Sequence, residues 1–483
     1  MAFRDTQYRT RHPMLRPVMV VWGALVALLV MPFPAPLVAQ SSKLLTASTL
    51  DVGDAGNFGK TVPRSAESPT DDFVRYRFPD QCEQAMRRLV SEYWRDKRRD
   101  TVRYAPATDS VPTFALREGR RCASQFSIAT TPVRELFGLS QLYLWTQQDS
   151  LARAALDRLM QANAKRLPAE RAWPFYEFTT SLLAVTPVRD TLALAYLRRL
   201  DAMGPAAATL RMLAHTQMSQ YALTVNDRAT AESEARAALA ASHQMSMNDR
   251  IDGLPSLVGM YSVLSRAVTF TRSSQAALAI LDTAITDLIP LRPEGRLRSG
   301  IQSMIGEMRI PVRAVGTKGL PAVHADRWYG TNGDSVRPRS GRVTLLVFSS
   351  TSCSGACYET FAIMRRMHAR YGDQLDLVFM TRTEGIFRNK LVTDPIIEAD
   401  SAGNYYTRFM RLPAALAVEI TPFHRIADGR RRNEQTSNED TFALGGQGIV
   451  VDRAGVVRWT GNVQPSDEAL MSAVIGEAVA AKP

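Results

Sequence analysis

The stretch VTLLVFSSTSCSGAC, residues 343–357, decides the fold of the C-terminal part of this chain. Its first half, Val343–Ser350, is a run of β-branched and aromatic residues, the pattern of a strand buried on both faces. Its second half carries Cys353 and Cys357 in a Cys-x-x-x-Cys spacing. A helical stretch then runs through Tyr371 with Phe361, Met364 and Met367 on its apolar side. A cysteine at a strand-to-helix junction has its sulfur near unpaired N–H groups at the positive end of the helix dipole, which favours thiolate. Cys357 follows one turn later on the same face. Helical geometry sets the two Cα atoms roughly 6 Å apart, toward the long end of what a disulfide tolerates. A bond there is more easily reduced than a structural one. In these roles Cys353 is the attacking thiolate and Cys357 the resolving one.

Further along, Leu375–Met380 reads as a second strand, and Asp394-Pro395 opens a helix with Asp as N-cap and Pro at the first helical position. Gly448–Asp452, the turn Arg453-Ala454-Gly455 and Val456–Thr460 read as a hairpin, followed by a helix from about Ser466 to Ala480. Strand, cysteine-bearing helix, strand, helix, hairpin, helix is the order of a thioredoxin fold. Residues from about 315 to 483 resemble the periplasmic TlpA/ResA-type and AhpC/TSA-type thioredoxin-like proteins. The matching pieces are GRVTLLVFSSTSC, the hairpin GIVVDRAGVVRW and the inserted NYYTRFMRLPAALAVEITPF. The resemblance implies thiol–disulfide exchange at Cys353 and Cys357 with a protein redox partner or client, and no cofactor.

Two departures keep other chemistries open. The Cys-x-x-x-Cys spacing is similar to that of the Sco/SenC copper-assembly relatives, which implies copper at Cys353, Cys357 and a histidine. The candidates are His424 and His368, each of which also reads as a plain solvated histidine. Gly446 stands where the family carries a cis-proline that backs the disulfide, which points instead to a non-catalytic adaptor.

The N-terminus sets the compartment. Arg9, Arg11 and Arg16 precede an apolar run from Val18 to Met31, then prolines and the small-residue end Leu37-Val38-Ala39. This is the order of a secretory signal. Fourteen apolar residues fall short of the roughly 20 that span a bilayer, though an uncleaved anchor would leave the protein on the membrane. The expected location is the periplasm or outside the cell. There an even count of four cysteines suggests two pairs. Cys82 and Cys122, 40 residues apart, are expected to form a structural disulfide stapling two helices around a long connection. Closing such a loop is worth about 3–4 kcal/mol.

The net charge of +12 becomes +9 without residues 1–39, with 55 basic against 46 acidic residues. The excess is spread along the chain as arginines alternating with acids, which describes a solvated surface and not a nucleic-acid site. No Ser/His/Asp array, zinc spacing, P-loop or dinucleotide glycine motif appears.

From Phe78 to Ile310 apolar residues recur at three and four. The pairs Ala155/Leu159, Tyr196/Leu200, Ala235/Leu239 and Ala277/Leu281 repeat at spacings of 41, 39 and 42 residues. The architecture resembles tetratricopeptide-type (TPR-like) helical hairpins, with a period longer than that family's 34. Such an array either binds partners on a concave face or serves as a spacer. Met212, Met218, Met245, Met247 and Met260 are expected to fill its core. The expected organisation is therefore α plus α/β. It runs from a signal peptide (1–39) and flexible leader (40–75) through a helical segment with Cys82 and Cys122 (76–130) to TPR-like repeats (131–310). A linker and N-terminal extension (311–340) then leads into a thioredoxin-like domain (341–483).

Overall fold

A computed structural model describes residues 76–99, 113–166, 168–184, 188–291, 296–318, 325–330, 341–349, 356–387, 390–420, 423–425, 431–433 and 448–481. Of 91–99, 168–170, 296–297, 356–358, 423–425 and 431–433 it describes the backbone alone. The chain is a run of helices followed by a part built on a mixed β-sheet. The expected signal and leader, Cys353 and Gly446 lie outside the described residues.

The helical part is α1 (Pro79–Arg99), α2 (Thr113–Ala123), α3 (Leu136–Trp145), α4 (Asp149–Ala162), α5 (Pro168–Ala184), α6 (Asp190–Asp201), α7 (Ala208–Thr224), α8 (Arg228–Ser242), the short α9 (Met247–Asp252), α10 (Leu254–Thr271), α11 (Ser274–Leu288) and α12 (Arg296–Ala314). Consecutive helices pack as the pairs α3/α4, α5/α6, α7/α8 and α10/α11, and α5, α7 and α10 stack side by side. The repeated positions explain the pairing: Ala155, Tyr196, Ala235 and Ala277 are buried, as are Leu159, Leu200 and Leu281 one turn on. Short polar caps start several helices. Asp227 accepts from the Thr230 N–H at 3.1 Å, and Ser246 from the Asp249 N–H at 3.1 Å.

Met212, Met218, Met245 and Met260 fill the core, but Met247 does not: it is 62% exposed. It is the first residue of α9, directly after the Ser246 cap, so its side chain projects from an unpacked first turn. Ser274–Leu291 is long and apolar enough to cross a bilayer by composition. Its Ala277, Leu281, Ala284 and Leu288 are nevertheless buried in the helical core, and Asp282 and Asp287 pair with Arg309 and Arg250. It is a packing helix.

The C-terminal part holds β1 (Arg327–Tyr329), β2 (Val343–Phe348), α13 (Ala356–Tyr371), β3 (Leu375–Arg382), α14 (Pro395–Gly403), β6 (Ala415–Glu419), β9 (Gly448–Val451), β10 (Val457–Gly461) and α15 (Pro465–Ala480). Two small hairpins complete it, β4 (Ile386–Phe387) with β5 (Lys390–Leu391) and β7 (Phe423–Arg425) with β8 (Arg431–Asn433). The main sheet has six strands in the order β1-β6-β3-β2-β9-β10. β2, β3 and β6 are mutually parallel; β9, β10 and β1 run antiparallel to their neighbours. All six β2 residues are buried, as the unbroken apolar run requires. Phe361, Met364 and Met367 of α13 and Leu470, Met471, Val474 and Ile475 of α15 cover one face of this sheet.

Two features differ from the sequence expectation. Residues 311–314 are the end of α12, not linker. Pro311 removes a helical hydrogen bond, but Val312 and Ala314 are buried beyond it, and that burial carries the helix on. The two parts also share a core. Ala222 and Leu223 of α7, Ala231 of α8 and Ala267 of α10 belong to the same apolar cluster as the sheet, with α15 packed on α7. Arg228 pairs with Glu477 at 2.7 Å, Arg266 with Asp467 at 2.7 Å, and the Thr460 hydroxyl donates to the Pro311 carbonyl at 3.2 Å.

Candidate functional site

The Cys-x-x-x-Cys segment connects β2, in the middle of the sheet, to α13. Cys357 is the second residue of α13, and Cys353 falls in the connection before it. The junction stands at the carboxyl ends of β2, β3 and β6, the edge of an open parallel sheet where ligands and substrates ordinarily approach. The positive end of the α13 dipole faces the same edge, with Glu359 in the first turn as an opposing charge.

α13 is held firmly in place. The Thr360 hydroxyl donates to the Val463 carbonyl at 3.0 Å, tying the first turn to the segment after β10. Arg366 grips Glu468 of α15 through two 2.6 Å bonds, and the Tyr371 hydroxyl reaches Ser472. One turn beyond Cys357, the Phe361 ring meets Phe379 of β3 at 5.4 Å and Tyr406 at 5.3 Å. Tyr406 sits in a single π-helical turn, Asn404–Phe409, that follows α14 directly. Arg365 donates to the Met410 carbonyl after that turn, and burial lowers its pKa.

The strand ends beside this junction are polar and buried. Thr381 is 1% exposed, and its hydroxyl has no hydrogen-bond partner. Glu398 of α14 is fully buried and accepts from the backbone N–H groups of Glu384 at 2.9 Å and Gly385 at 2.6 Å. Gly385 has φ +71°, a conformation glycine adopts without strain, so the loop after β3 can wrap its N–H groups onto that carboxylate. Asp394 caps α14 as expected from Asp394-Pro395, accepting from Ile396 at 2.8 Å. At the outer edge Tyr329 donates to Asp400 at 2.6 Å. Burial first, and then the Asp400 carboxylate, push the Tyr329 pKa up to about 12.

The copper candidates are distributed unevenly. His368 is exposed on α13, eleven residues past Cys357. That is about 16 Å along the helix axis, too far to share an ion with it. His424 is the central residue of β7, opposite Arg432 of β8. Among the described residues, no three His, Cys, Asp or Glu side chains form a group that could hold a metal ion.

Away from this edge, Cys82 of α1 and Cys122 of α2 are joined by a disulfide with Cα atoms 6.2 Å apart, both almost wholly buried. The helical part also holds a charge cluster with no sequence signature. His215 of α7 is buried, with Nδ1 2.7 Å from Glu234 of α8 and Nε2 2.9 Å from Asp201 at the end of α6. Arg211 pairs with the same Asp201 at 3.0 Å. Burial would lower the His215 pKa, but the two carboxylates override it and raise it to about 9. The carboxylates bind opposite ring nitrogens, so the three side chains do not converge on a point as metal ligands do. The separations of 14 and 19 residues cross helix boundaries, and only the rarity of histidine in this chain marks the position.

No protein-family model matches the chain, and no curated protein sequence matches it.

Proposed function

We propose that this chain is an exported thiol–disulfide exchange protein of thioredoxin-like fold, with Cys353 and Cys357 as its exchanging pair. The observation that carries the reading is the position of the pair, in the connection from the central strand β2 to α13 and in that helix's first turn. The sheet order supports it: β3-β2-β9-β10, with β2 and β3 parallel and β9 and β10 antiparallel, is the core order of a thioredoxin fold. β1 and β6 extend that core on one side. The signal-like N-terminus supports a periplasmic or secreted location, where disulfides persist.

In the exchange, the Cys353 thiolate attacks a disulfide of the partner protein. A mixed disulfide forms and one partner thiolate leaves. The Cys357 thiolate then attacks the Cys353 sulfur, forming the Cys353–Cys357 bond and releasing the partner's second thiolate. Two electrons pass from this chain to its partner, and the partner's two thiolates take up the protons that the two cysteines gave up. The reverse sequence oxidises the partner. The stacked helix pairs, read as TPR-like, supply a surface for that partner.

The test is a trapping experiment in the intact mature protein. Cys357→Ser is expected to accumulate a covalent complex with the partner through Cys353, and Cys353→Ser to abolish it. Tight Cu(I) binding that requires His424, with no trapped complex, would replace this reading with copper handling. A pair that neither exchanges nor binds metal leaves an adaptor.

A further inference from the structure

The exposed apolar side chains of the C-terminal part fall in one short stretch. Among its described residues, the large apolar side chains that stand about half in water are Leu391, Ile396, Ile397 and Phe409, 47–56% exposed. A run of contacts brings them onto one surface. The β4–β5 hairpin places Lys390 opposite Phe387 and Leu391 opposite Ile386, and the Val392 N–H closes it on the Gly385 carbonyl at 2.9 Å. The Phe387 ring meets Tyr405 edge-on at 5.8 Å, and Tyr405 stacks on Phe409 at 5.3 Å. α14 packs against β4, with Ile396 and Ile397 in its first turn. Ala399, Ala402 and Tyr406 form the buried side of α14 and its π turn. From Ile397 to Phe409 this helical segment advances about 18 Å.

Positive charge brackets the apolar group. Lys390 precedes Leu391, and Arg408 and Arg411 flank Phe409; all three cations are exposed. Among the described residues none of the three has an ion-pair partner. The nearby acids are already engaged. Asp394 accepts from the Ile396 N–H at 2.8 Å, and Asp400 holds Arg327 and the Tyr329 hydroxyl. Arg411 has φ +47°, the left-handed conformation that ends helices and ordinarily falls to glycine or asparagine. An arginine adopts it only with strain, and strain of this kind collects at functional positions.

We infer that this face docks on the surface of an anionic lipid bilayer. Leu391, Ile396, Ile397 and Phe409 enter the headgroup region, and Lys390, Arg408 and Arg411 meet lipid phosphates. Aliphatic and aromatic side chains bordered by tyrosine, lysine and arginine are the composition of interfacial elements. The long basic side chains lay their stems along the apolar zone and keep their charge at the headgroups. Protein interfaces deplete lysine, so Lys390 beside Leu391 favours lipid over a protein partner. The inference does not depend on the exchange reading.

The test is flotation of the mature chain, without residues 1–39, on vesicles of phosphatidylethanolamine and phosphatidylglycerol. The unsubstituted chain is expected to float with these vesicles and to stay behind with phosphatidylcholine alone. Each surface cation contributes about fivefold to binding, so Lys390→Gln, Arg408→Gln and Arg411→Gln together should weaken it about 100-fold. The same number of charges removed from the helical part, by Arg117→Gln, Arg134→Gln and Lys165→Gln, should weaken it no more than about threefold. Ile396→Ser with Ile397→Ser should weaken it at least about tenfold at unchanged net charge. Hydrogen exchange on the unsubstituted chain needs no variant and should show vesicle-induced protection centred on residues 390–411. Equal losses in the two charge-removal triples, or protection centred elsewhere, would overturn the inference. So would variants that leave vesicle binding intact and instead lower the sedimentation mass, which would make this face a contact between copies of the chain.

Discussion

Raising the pH should loosen the helical part through one residue, His215. Its pKa in the folded chain, about 9, lies above the ordinary 6.5. The stabilising contribution is therefore complete below pH 6.5 and is lost as pH rises through 9. A rise of that size corresponds to roughly 3 kcal/mol. Asp201 keeps about a third of its side chain in water, 34% exposed. Screening there brings the contribution nearer 2 kcal/mol. The measurement is the guanidinium midpoint, with slope checked, at intervals from pH 6 to pH 10 for wild type and His215→Gln. Wild type should lose about 2 kcal/mol between pH 6.5 and 9.5. His215→Gln should start lower by a similar amount at pH 6, because it leaves Glu234 of α8 without its partner, and should then run flatter. Asp201 retains Arg211 in both proteins. Parallel curves, with the variant losing as much stability over that window as wild type, would show that another group titrates and that the cluster contributes nothing to the slope.

Two more outcomes are expected. Replacing both Cys82 and Cys122 by serine should cost about 4 kcal/mol, the value for closing a loop of this length, and non-reducing peptide maps of the wild type should show their two peptides linked. Gly448→Ala should destabilise the sheet by about 1–3 kcal/mol, because a Cβ there would stand 2.4 Å from Val463 Cγ2 and 3.1 Å from the Trp459 ring, in a core without room; an unshifted melting temperature would refute that packing.

Legibility in the sequence followed the strength of the physical signal. β2 was plain from VTLLVF because a strand buried on both faces needs an unbroken apolar run, and α14 because Asp394 and Pro395 make a cap. The helix pairs showed through Ala155, Ala235 and Ala277, where a small side chain lets two helices close. β1 was not legible: Arg327–Tyr329 is a half-buried edge of three residues, and its pairing with β6 comes from tertiary context. The π-helical turn was hidden for a similar reason, since Tyr406 reads as an ordinary apolar position in NYYTRF. Proline at 311 reads as a helix stop in isolation, and the buried residues beyond it decide otherwise. At the candidate site, the cysteines were visible from spacing. Thr381 was not, because a threonine in a strand is unremarked until its hydroxyl is seen to lack a partner.

The shared core bears on how the chain is made. Arg228 and Glu477 meet across 249 residues of sequence. At synthesis rates of about 5–20 residues per second, the helices α7 and α8 wait on the order of tens of seconds before α15 exists to cover them. The fully buried residues they contribute to the seam are mostly alanine, at Ala222, Ala231 and the neighbouring Ala267, with Leu223, while the half-buried Val263 and Phe270 of α10 pack against them. Small side chains expose little apolar area to the crowd around a nascent chain. The fully buried side of the seam is thus built mainly from residues that tolerate delay, whereas Val263 and Phe270 of α10 gain their full cover only when the sheet and α15 arrive.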